Sequence, residues 1–294
     1  MKIVRLEDTV VEDVKHRPRE GKFVRRRLLE GETGSPENFH FQMVRTYGDF
    51  YSPRHHHNFD QVRYQIEGTF DFDRNGKMTP GTIAYFPEAA YYGPQSSGED
   101  SLTVVLQFGG ASGSGYMSAD QLQAAVAELK KTGEFHKGVY TRIGPDGRKR
   151  NMDGYQASWE HINQRPMVYP ERRYQDPVFM NPENYNWVAL HGTNGVSRKR
   201  LGVFTECETL LDMFKIEAGA SMRLDERSMY FVLSGNGRAG FPRWDRHTTL
   251  YVARGDSVGE IAADATSELL RIGLPDLAAF SAARSEEHPA ALAG

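Results

Sequence analysis

Three consecutive histidines, His55 to His57, are the residues of this sequence whose types and spacing best suit chemistry. In an extended chain alternate side chains share a face, so His55 and His57 point to one side and His56 to the other. Two imidazoles placed in this way can bind one metal ion. Gln61 follows His57 by four residues, an even offset that allows its amide to join the same face. We therefore predict His55, His57 and Gln61 as metal ligands.

Further polar residues share the parity of this pair. Arg63 and Gln65 continue it along the chain, and His40 and Gln42 on the preceding strand could face the same side. Polar side chains inside a barrel are costly unless they are paired, so this pattern indicates a wet, functional cavity. We predict that Arg63 contacts the substrate there. The alternative is that this face meets solvent and the opposite face forms the core.

The elements around the histidines have strand character. Between Phe23 and Phe108, short apolar or alternating runs are separated by Gly, Pro, Asn and Asp, and the pattern returns from about Trp187. Many short strands at such spacing indicate a sandwich or a barrel. The predicted strands cover residues 39–44, 62–66, 82–86, 102–106, 210–214, 229–233 and 257–261.

Between the two β-rich regions the sequence predicts a small helical insert. Gly109 to Gly115 has the composition of a flexible linker. Ser118 is the predicted N-cap of a helix that stops at Gly133, and a second helix is predicted near residues 154–163. Residues 167–186 are rich in Pro, Tyr and Arg and predict an extended arm over a barrel. The predicted domains are therefore 1–110, 111–186 (linker, helices and arm) and 187–280, with a flexible tail at 281–294.

The spacing around the histidines resembles the first motif of the cupin superfamily. That motif runs Gly, five residues, His-x-His, three or four residues, Glu, six residues, Gly. His55, His57, Gln61 and Gly68 reproduce it here, with Gln61 in place of the carboxylate. Asp49 stands where the leading glycine would be.

The second cupin motif is matched in its first half. Gly81 to Pro87 has the correct spacing, after which Ala89 replaces a glycine and Ser96 replaces an asparagine. Tyr92 occupies the position of the third histidine ligand. A phenol is a poor ligand unless ionised but an adequate proton donor, so we predict that Tyr92 contacts the substrate. The resemblance covers residues 35–110 well.

A second copy of the pattern follows without ligands. Residues 233–237 resemble the turn after the strand of motif one, and counting back from Gly235 reaches Met222, Leu224 and Ser228 at the positions of the three predicted ligands. None of the three suits a divalent ion. The resemblance thus implies an all-β chain with a small helical insert, built from two cupin-type β-barrel (jelly-roll) domains. The first barrel carries the site, and the second covers it or forms a dimer interface.

The resemblance also implies a metal-dependent enzyme acting on a small organic molecule. Family members hold a divalent ion with three His and one Glu, and Gln61 removes one negative charge from that set. We expect iron, with manganese, nickel, copper or zinc as alternatives. We expect an oxygenase, with a metal-dependent lyase, isomerase or cyclase as the alternative. Two further hypotheses are a binding module that has lost its metal, and a metal-free proton-transfer enzyme using His55 or His57 with Tyr92.

Composition narrows the possible partners. Hydrophobic residues make up 39% of the chain and charged residues 26%, which is typical of a soluble globular protein. The net charge of −3 gives no reason to expect a nucleic-acid partner. We interpret the run Arg25-Arg26-Arg27 as a solvated strand edge, because three charges give too short a footprint for nucleic acid. The single cysteine, Cys207, excludes an intrachain disulfide and a Cys-based zinc site.

Targeting signals are also missing from the sequence. The segment from Met1 to Val14 lacks the apolar core of a signal peptide, and no apolar run approaches the roughly 20 residues that span a bilayer. We therefore expect a cytoplasmic protein with a small-molecule substrate, without nucleic-acid or membrane partners, and compatible with a homodimer.

Overall fold

The computed structural model describes residues 1–13, 21–112, 116–257, 259–276 and 278. Over these residues the chain is built mainly from β-strands, with two α-helices between the two β-rich regions, which confirms the predicted fold class. The chain divides into two compact units. Of the described residues, those between 11 and 180 form one unit, and residues 1–10 form the other together with those from 181 to 278.

The strands and helices of the first 180 residues include both α-helices. The strands are β1 (Lys2–Val4), β2 (Val11–Asp13), β3 (Phe23–Glu30), β4 (Phe39–Thr46), β5 (Tyr51–Ser52), β6 (Phe59–Glu67), β7 (Phe70–Asp71), β8 (Lys77–Met78), β9 (Ile83–Phe86), β10 (Gln95–Ser96), β11 (Ser101–Gly109), β12 (Glu134–His136), β13 (Val139–Ile143), β14 (Lys149–Asp153) and β15 (Val178–Met180). The α-helices are α1 (Ala119–Leu129) and α2 (Gly154–Asn163), and 3-10 turns span Leu6–Asp8 and Asp73–Asn75.

The remaining described residues add ten strands and one 3-10 turn, Pro182–Asn184. The strands are β16 (Val188–Ala189), β17 (Val196–Phe204), β18 (Thr209–Ile216), β19 (Ser221–Arg223), β20 (Ser228–Ser234), β21 (Gly237–Arg238), β22 (Arg243–Trp244), β23 (Thr249–Val252), β24 (Glu260–Ala263) and β25 (Ser267–Gly273). The strand predicted at 257–261 thus starts later, at Glu260.

The unit of residues 11–180 is a barrel of two antiparallel sheets. One has seven strands in the order β15-β9-β6-β11-β4-β3-β2, and the other has four in the order β5-β10-β7-β8. Alternation along β4, β6 and β11 directs one set of side chains between the sheets. Apolar residues in and beside β7, β8 and β9 form a core cluster, which includes Phe72, Met78 and Phe86.

Gly68 makes the tight connection between β6 and β7. Its φ of +66° lies in the left-handed region, and a Cβ there would sit 2.3 Å from the carbonyl oxygen of Asp100. Only glycine satisfies both conditions, which explains physically why the motif resemblance extends to this residue.

The two helices of the insert agree with their prediction, but a three-stranded sheet in the order β12-β13-β14, which the sequence did not predict, lies between them in the chain. Ser118 caps α1, and its hydroxyl accepts from the Gln121 N–H while the Gln121 side chain accepts from the Ser118 N–H. Helix α1 ends at Leu129, earlier than the predicted stop at Gly133. Helix α2 covers residues 154–163 as predicted and is capped by Asp153. Residues 113–115 of the predicted linker and the predicted tail 281–294 lie outside the described residues.

The second unit repeats the arrangement of the first. Its seven-stranded sheet has the order β1-β23-β20-β25-β18-β17-β16, and its four-stranded sheet the order β19-β24-β21-β22. The first ten residues, placed in the N-terminal domain by the sequence, therefore belong here, because β1 pairs with β23. Met222 and Leu224, at the positions of the two histidines, join an apolar core cluster around Trp244.

Among the described residues, no helix combines the length and the apolar character needed to cross a membrane.

Candidate functional site

A cavity of about 210 Å³ lies inside the first barrel. It is smaller than the roughly 300–1,000 Å³ of drug-sized pockets and suits a small organic molecule. Strands β3, β4, β6 and β11 supply polar side chains to its wall, and α1 and α2 supply Ala119, Leu122, Gln123 and Tyr155. Aromatic rings complete the lining, so most of the wall is apolar with a few polar groups. The helical insert therefore forms part of the cavity wall.

His55 and His57 both line this cavity and are buried, with 5% and 8% of their surface exposed. The segment that carries them is not a continuous strand. Instead, His55 pairs with Tyr92 in an isolated antiparallel bridge, and the carbonyl of His57 accepts from the Ala89 N–H at 2.7 Å. This pairing keeps the segment extended, so the two histidines share a face as their parity predicts, although β6 begins only at Phe59.

The two imidazoles are in edge-to-face contact, with ring centroids 4.8 Å apart and an interplanar angle of 75°. Nδ1 of His55 lies 2.6 Å from the carbonyl oxygen of Pro53, a contact in which the ring must donate. Its Nε2 then carries the lone pair and faces the cavity side near Gln95. His57 packs against the ring of Phe59 at 4.4 Å and the edge of Tyr155 at 4.8 Å. Packing on both rings fixes the orientation of the pair.

His56 points away from the cavity, as predicted. Its ring is stacked between Tyr91 and Tyr169, at centroid distances of 4.0 and 3.7 Å. Burial lowers the pKa of His56 from its ordinary value. The middle histidine is therefore separated from the other two.

Gln61 is buried, and both ends of its amide are engaged. Its oxygen accepts from Arg63 at 2.9 Å and from Gln107 at 3.2 Å, and its nitrogen donates to the Tyr92 hydroxyl at 2.7 Å. The guanidinium can only donate, so the amide oxygen must face Arg63. Gln61 and Tyr92 are absent from the described cavity lining. A ligand role for Gln61 would require the hydrogen bonds to its oxygen to break.

Arg63 lines the cavity, in agreement with its parity. Besides Gln61, it donates to the Gln95 oxygen at 2.9 Å, and its guanidinium lies 4.6 Å from the ring centroid of Phe86. Burial lowers the pKa of Arg63 from its ordinary value, while the nearby Tyr92 opposes that shift. Hydrogen bonds to a charged group are worth about 1.5–3 kcal/mol each, so the two amide oxygens hold this cation firmly in place.

Sequence reasoning missed three polar members of the site. Gln95 connects Arg63 to His55, with its nitrogen 3.4 Å from Nε2 of the imidazole. Gln107 connects Gln61 to Tyr116, whose hydroxyl donates to the Gln107 oxygen at 2.9 Å. Parity along β11 could have identified Gln107, because Gln107 shares its face of the strand with Thr103 and Val105, which also line the cavity.

The third missed residue is Arg25, and here the interpretation of a solvated strand edge is wrong. Arg25 is only 6% exposed and lines the cavity. Its Nε donates to Glu12 at 2.9 Å, because β2 pairs with β3 and brings that carboxylate alongside. His40 and Gln42 also line the cavity, as their parity suggested.

The residues present can be compared with the needs of a divalent ion. Two imidazoles bound to one ion, with metal–nitrogen distances of about 2.1 Å, place their ring centroids roughly 4.5–5.2 Å apart. The observed 4.8 Å fits this range, and a carbonyl-bonded Nδ1 is the usual second contact of a ligating histidine. The described residues hold no group of three or more His, Cys, Asp or Glu placed to bind an ion. The two imidazoles could therefore hold an ion, and the described residues place no third His, Cys, Asp or Glu beside them.

Comparisons with known proteins bear on the fold. No protein-family model matches the sequence, and no curated protein matches it. A candidate dioxygenase from Nostoc punctiforme is similar in structure, with a TM-score of 0.60 and 11% identity over 92% of this chain and 81% of its own. A candidate glyoxylate-induced protein from Pseudomonas aeruginosa has a TM-score of 0.56 and 12% identity over 92% of this chain and 91% of its own. A mutant of Bacillus subtilis oxalate decarboxylase has a TM-score of 0.51 and 13% identity over 93% of this chain and 77% of its own.

These likenesses extend over both units of the chain. Together with the two repeated sheet pairs, they show that the chain has the cupin fold in two jelly-roll barrels. At such low identity they establish the fold and carry no residue roles.

Proposed function

We propose that the first barrel is the active site of a metal-dependent cupin enzyme that acts on a small organic molecule. The observation that carries this proposal is the buried pair His55 and His57, in ring contact on the wall of a mostly apolar cavity. Iron is the ion we propose first, with manganese, nickel, copper or zinc as alternatives. An oxygenase is the reaction class we favour, and a lyase, isomerase or cyclase is the alternative.

His55 and His57 would hold the ion, which when bound supplies a Lewis acid with open positions for other ligands. Neutral imidazoles leave its charge undiminished, so an anionic group of the substrate would add to the stability of the complex. The aromatic wall around His57 excludes water and lowers the local dielectric, which strengthens such charge interactions.

Arg63 is positioned to stabilise negative charge on a substrate oxygen beside the histidines. Gln61 and Gln95 hold its guanidinium in place, so little reorganisation is needed when charge develops. Gln61 and Tyr92 act in this proposal as positioning residues, because their contacts are to each other and to Arg63. This differs from the roles that the sequence predicts for them, a metal ligand and a substrate contact.

The metal-free proton-transfer enzyme remains the second candidate. One observation favours it: among the described residues that line the cavity there is no Asp or Glu, while Arg25 and Arg63 are both present. A divalent ion would therefore have no protein anion beside it. In this alternative His55 takes the proton at Nε2, and Arg63 stabilises the resulting anion.

Metal analysis tests the proposal and separates the two candidates. Protein purified without chelator should carry about one transition-metal ion per chain by plasma mass spectrometry. The double variant His55→Ala/His57→Ala should lose the ion while its circular dichroism stays that of the parent. His56→Ala is the matched control and should retain the ion, because His56 stacks outside the cavity.

Two outcomes would overturn the metal proposal. In one, the parent protein fails to bind iron, manganese, nickel, copper or zinc after loading with each. In the other, the double variant keeps the same metal content as the parent. If the metal-free parent turns over substrate with an imidazole-controlled pH profile, the second candidate is correct. If neither metal nor turnover is found, a binding module is the remaining function.

A further inference from the structure

The permanently charged side chains in the described cavity lining are all cationic. Two guanidinium groups, Arg25 and Arg63, contribute to the wall, and no carboxylate does so among the described lining residues. The two arginines lie on β3 and β6, which are separated in the sheet by β11 and β4. Three strand spacings of about 4.8 Å put them roughly 14 Å apart along the sheet. The two guanidinium groups therefore reach the cavity from separate places in its wall, and only Arg63 is connected to His55, through Gln95.

Arg25 retains hydrogen-bonding capacity at its end. Glu12 accepts from its Nε at 2.9 Å, but Glu12 also accepts from Arg27. Arg25 Nη2 is buried and has no hydrogen-bond partner among the described residues. Arg27 differs, because Asp120 accepts from both of its terminal nitrogens and Glu30 accepts as well. Of Arg25 and Arg27, only Arg25 keeps a buried donor without a partner among the described residues.

His40 and Gln42, on the strand β4 that pairs with β3, add further polar groups to the cavity wall. His40 is 1% exposed, and neither of its ring nitrogens has a hydrogen-bond partner among the described residues. Burial, with Arg25 and Arg27 nearby, lowers the pKa of His40 to about 3, so the ring is neutral and presents one N–H. The side-chain oxygen of Gln42 is also buried without a partner among the residues described. Unsatisfied buried polar groups are costly, which indicates that a ligand satisfies part of this set.

We propose that Arg25, with His40 and Gln42 on the neighbouring strand β4, forms a subsite for a carboxylate of the substrate. The proposal rests on the proposed function in one respect: the other end of the same molecule reacts at His55 and His57. A planar carboxylate matches the guanidinium fork, and one arginine with one N–H of imidazole suits a single negative charge. The substrate is then a small organic acid whose apolar body joins the carboxylate to its reactive group.

Paired probes test the subsite without the substrate or the metal. Acetate, benzoate and 3-phenylpropionate are titrated into chelator-treated protein by calorimetry, each beside its neutral amide. At least one carboxylate should bind at least tenfold more tightly than its amide. Arg25→Gln should weaken the binding of that carboxylate at least tenfold and leave the affinity for the amide unchanged. Arg25→Lys keeps the charge but loses the fork, and it should give an intermediate loss if the glutamine variant does not fold.

The controls separate this proposal from the metal proposal and from other anion sites. Arg26→Gln, which alters the neighbouring arginine on the opposite face of β3, should bind the carboxylate as the parent does. His55→Ala/His57→Ala should also retain the carboxylate, so failure of the metal proposal would leave this result intact. Phenyl phosphate is included, and it should bind more weakly than benzoate.

Several results would overturn the subsite. They are equal carboxylate affinity in the parent and both Arg25 variants, no preference for any carboxylate over its amide, absence of binding by every carboxylate, and tighter binding of phenyl phosphate than of benzoate.

Discussion

The buried, neutral His40 makes the stability of the first barrel depend on pH in a predictable way. Its pKa is lowered from 6.5 to about 3, because burial and then the charges of Arg25 and Arg27 disfavour the imidazolium. Below pH 6.5 the unfolded chain takes up a proton at this residue that the folded barrel does not. This contribution to stability is therefore complete above pH 6.5 and is lost as the pH falls from 6.5 towards 3.

The magnitude follows from the two pKa values. Each pH unit in this window costs about 1.4 kcal/mol per proton. The loss attributable to His40 is then about 1.4 kcal/mol at pH 5.5 and about 2.7 kcal/mol at pH 4.5. The variant His40→Gln keeps a polar side chain but cannot titrate, so its stability should decline less on acidification by these amounts.

The assay must report on the first barrel alone, because the chain has two units. Parent and variant are unfolded in urea at pH 7.5, 5.5 and 4.5, and hydrogen exchange is followed in peptides from β4 and β11. The difference at pH 7.5 measures the cost of the substitution itself, since the histidine is neutral there. The change with pH in the stability difference between parent and variant then reports the titration of His40 alone. A difference that stays constant from pH 7.5 to 4.5 would refute a neutral, buried His40.

Three further substitutions test other parts of the account by urea unfolding. Tyr92→Phe removes the acceptor of the buried Gln61 N–H, and we expect a loss of about 1–3 kcal/mol, whereas unchanged stability would contradict that contact. Gly68→Ala forces a Cβ against Asp100 at positive φ and should cost at least about 1 kcal/mol; a parent-like midpoint would show that the turn can rearrange. Asp60→Asn removes a buried carboxyl group. Burial raises the pKa of Asp60 from 3.8 to about 7, so the parent loses stability as the pH rises from 3.8 to about 7. The variant should therefore gain about 3 kcal/mol on the parent between pH 5 and 8.5, and parallel pH curves would exclude the buried acid.

The local features of the site could be predicted because they depend on parity and spacing. The two-residue separation of His55 and His57 places both on one face whether the backbone forms a strand or only a bridge. The helix cap at Ser118 and the turn at Gly68 are likewise decided by a few neighbouring residues. The β-rich class followed from the same periodicity, applied over many short strands, whereas the two cupin-type barrels followed from the motif resemblance.

What the sequence could not show depends on residues far apart in the chain. The amide of Gln61 has the right parity for a metal ligand, but Gln107 lies 46 residues later and arrives only when β11 pairs with β6. Arg25 belongs to a basic run that is typical of a surface, and its burial depends on the pairing of β2 with β3. The three residues of β1 contain no signal for a partner in β23. Each of these features comes from tertiary pairing, on which local pattern carries no information.

The most direct test of the central claim is anomalous diffraction from crystals of the metal-loaded protein. Data collected on either side of the absorption edge locate the ion independently of any assumption about its ligands. We predict a peak roughly 2.0–2.3 Å from one ring nitrogen each of His55 and His57, inside the cavity of the first barrel. Maps without a peak between these two rings, after loading with each of the five ions in turn, would contradict the claim that they share a metal.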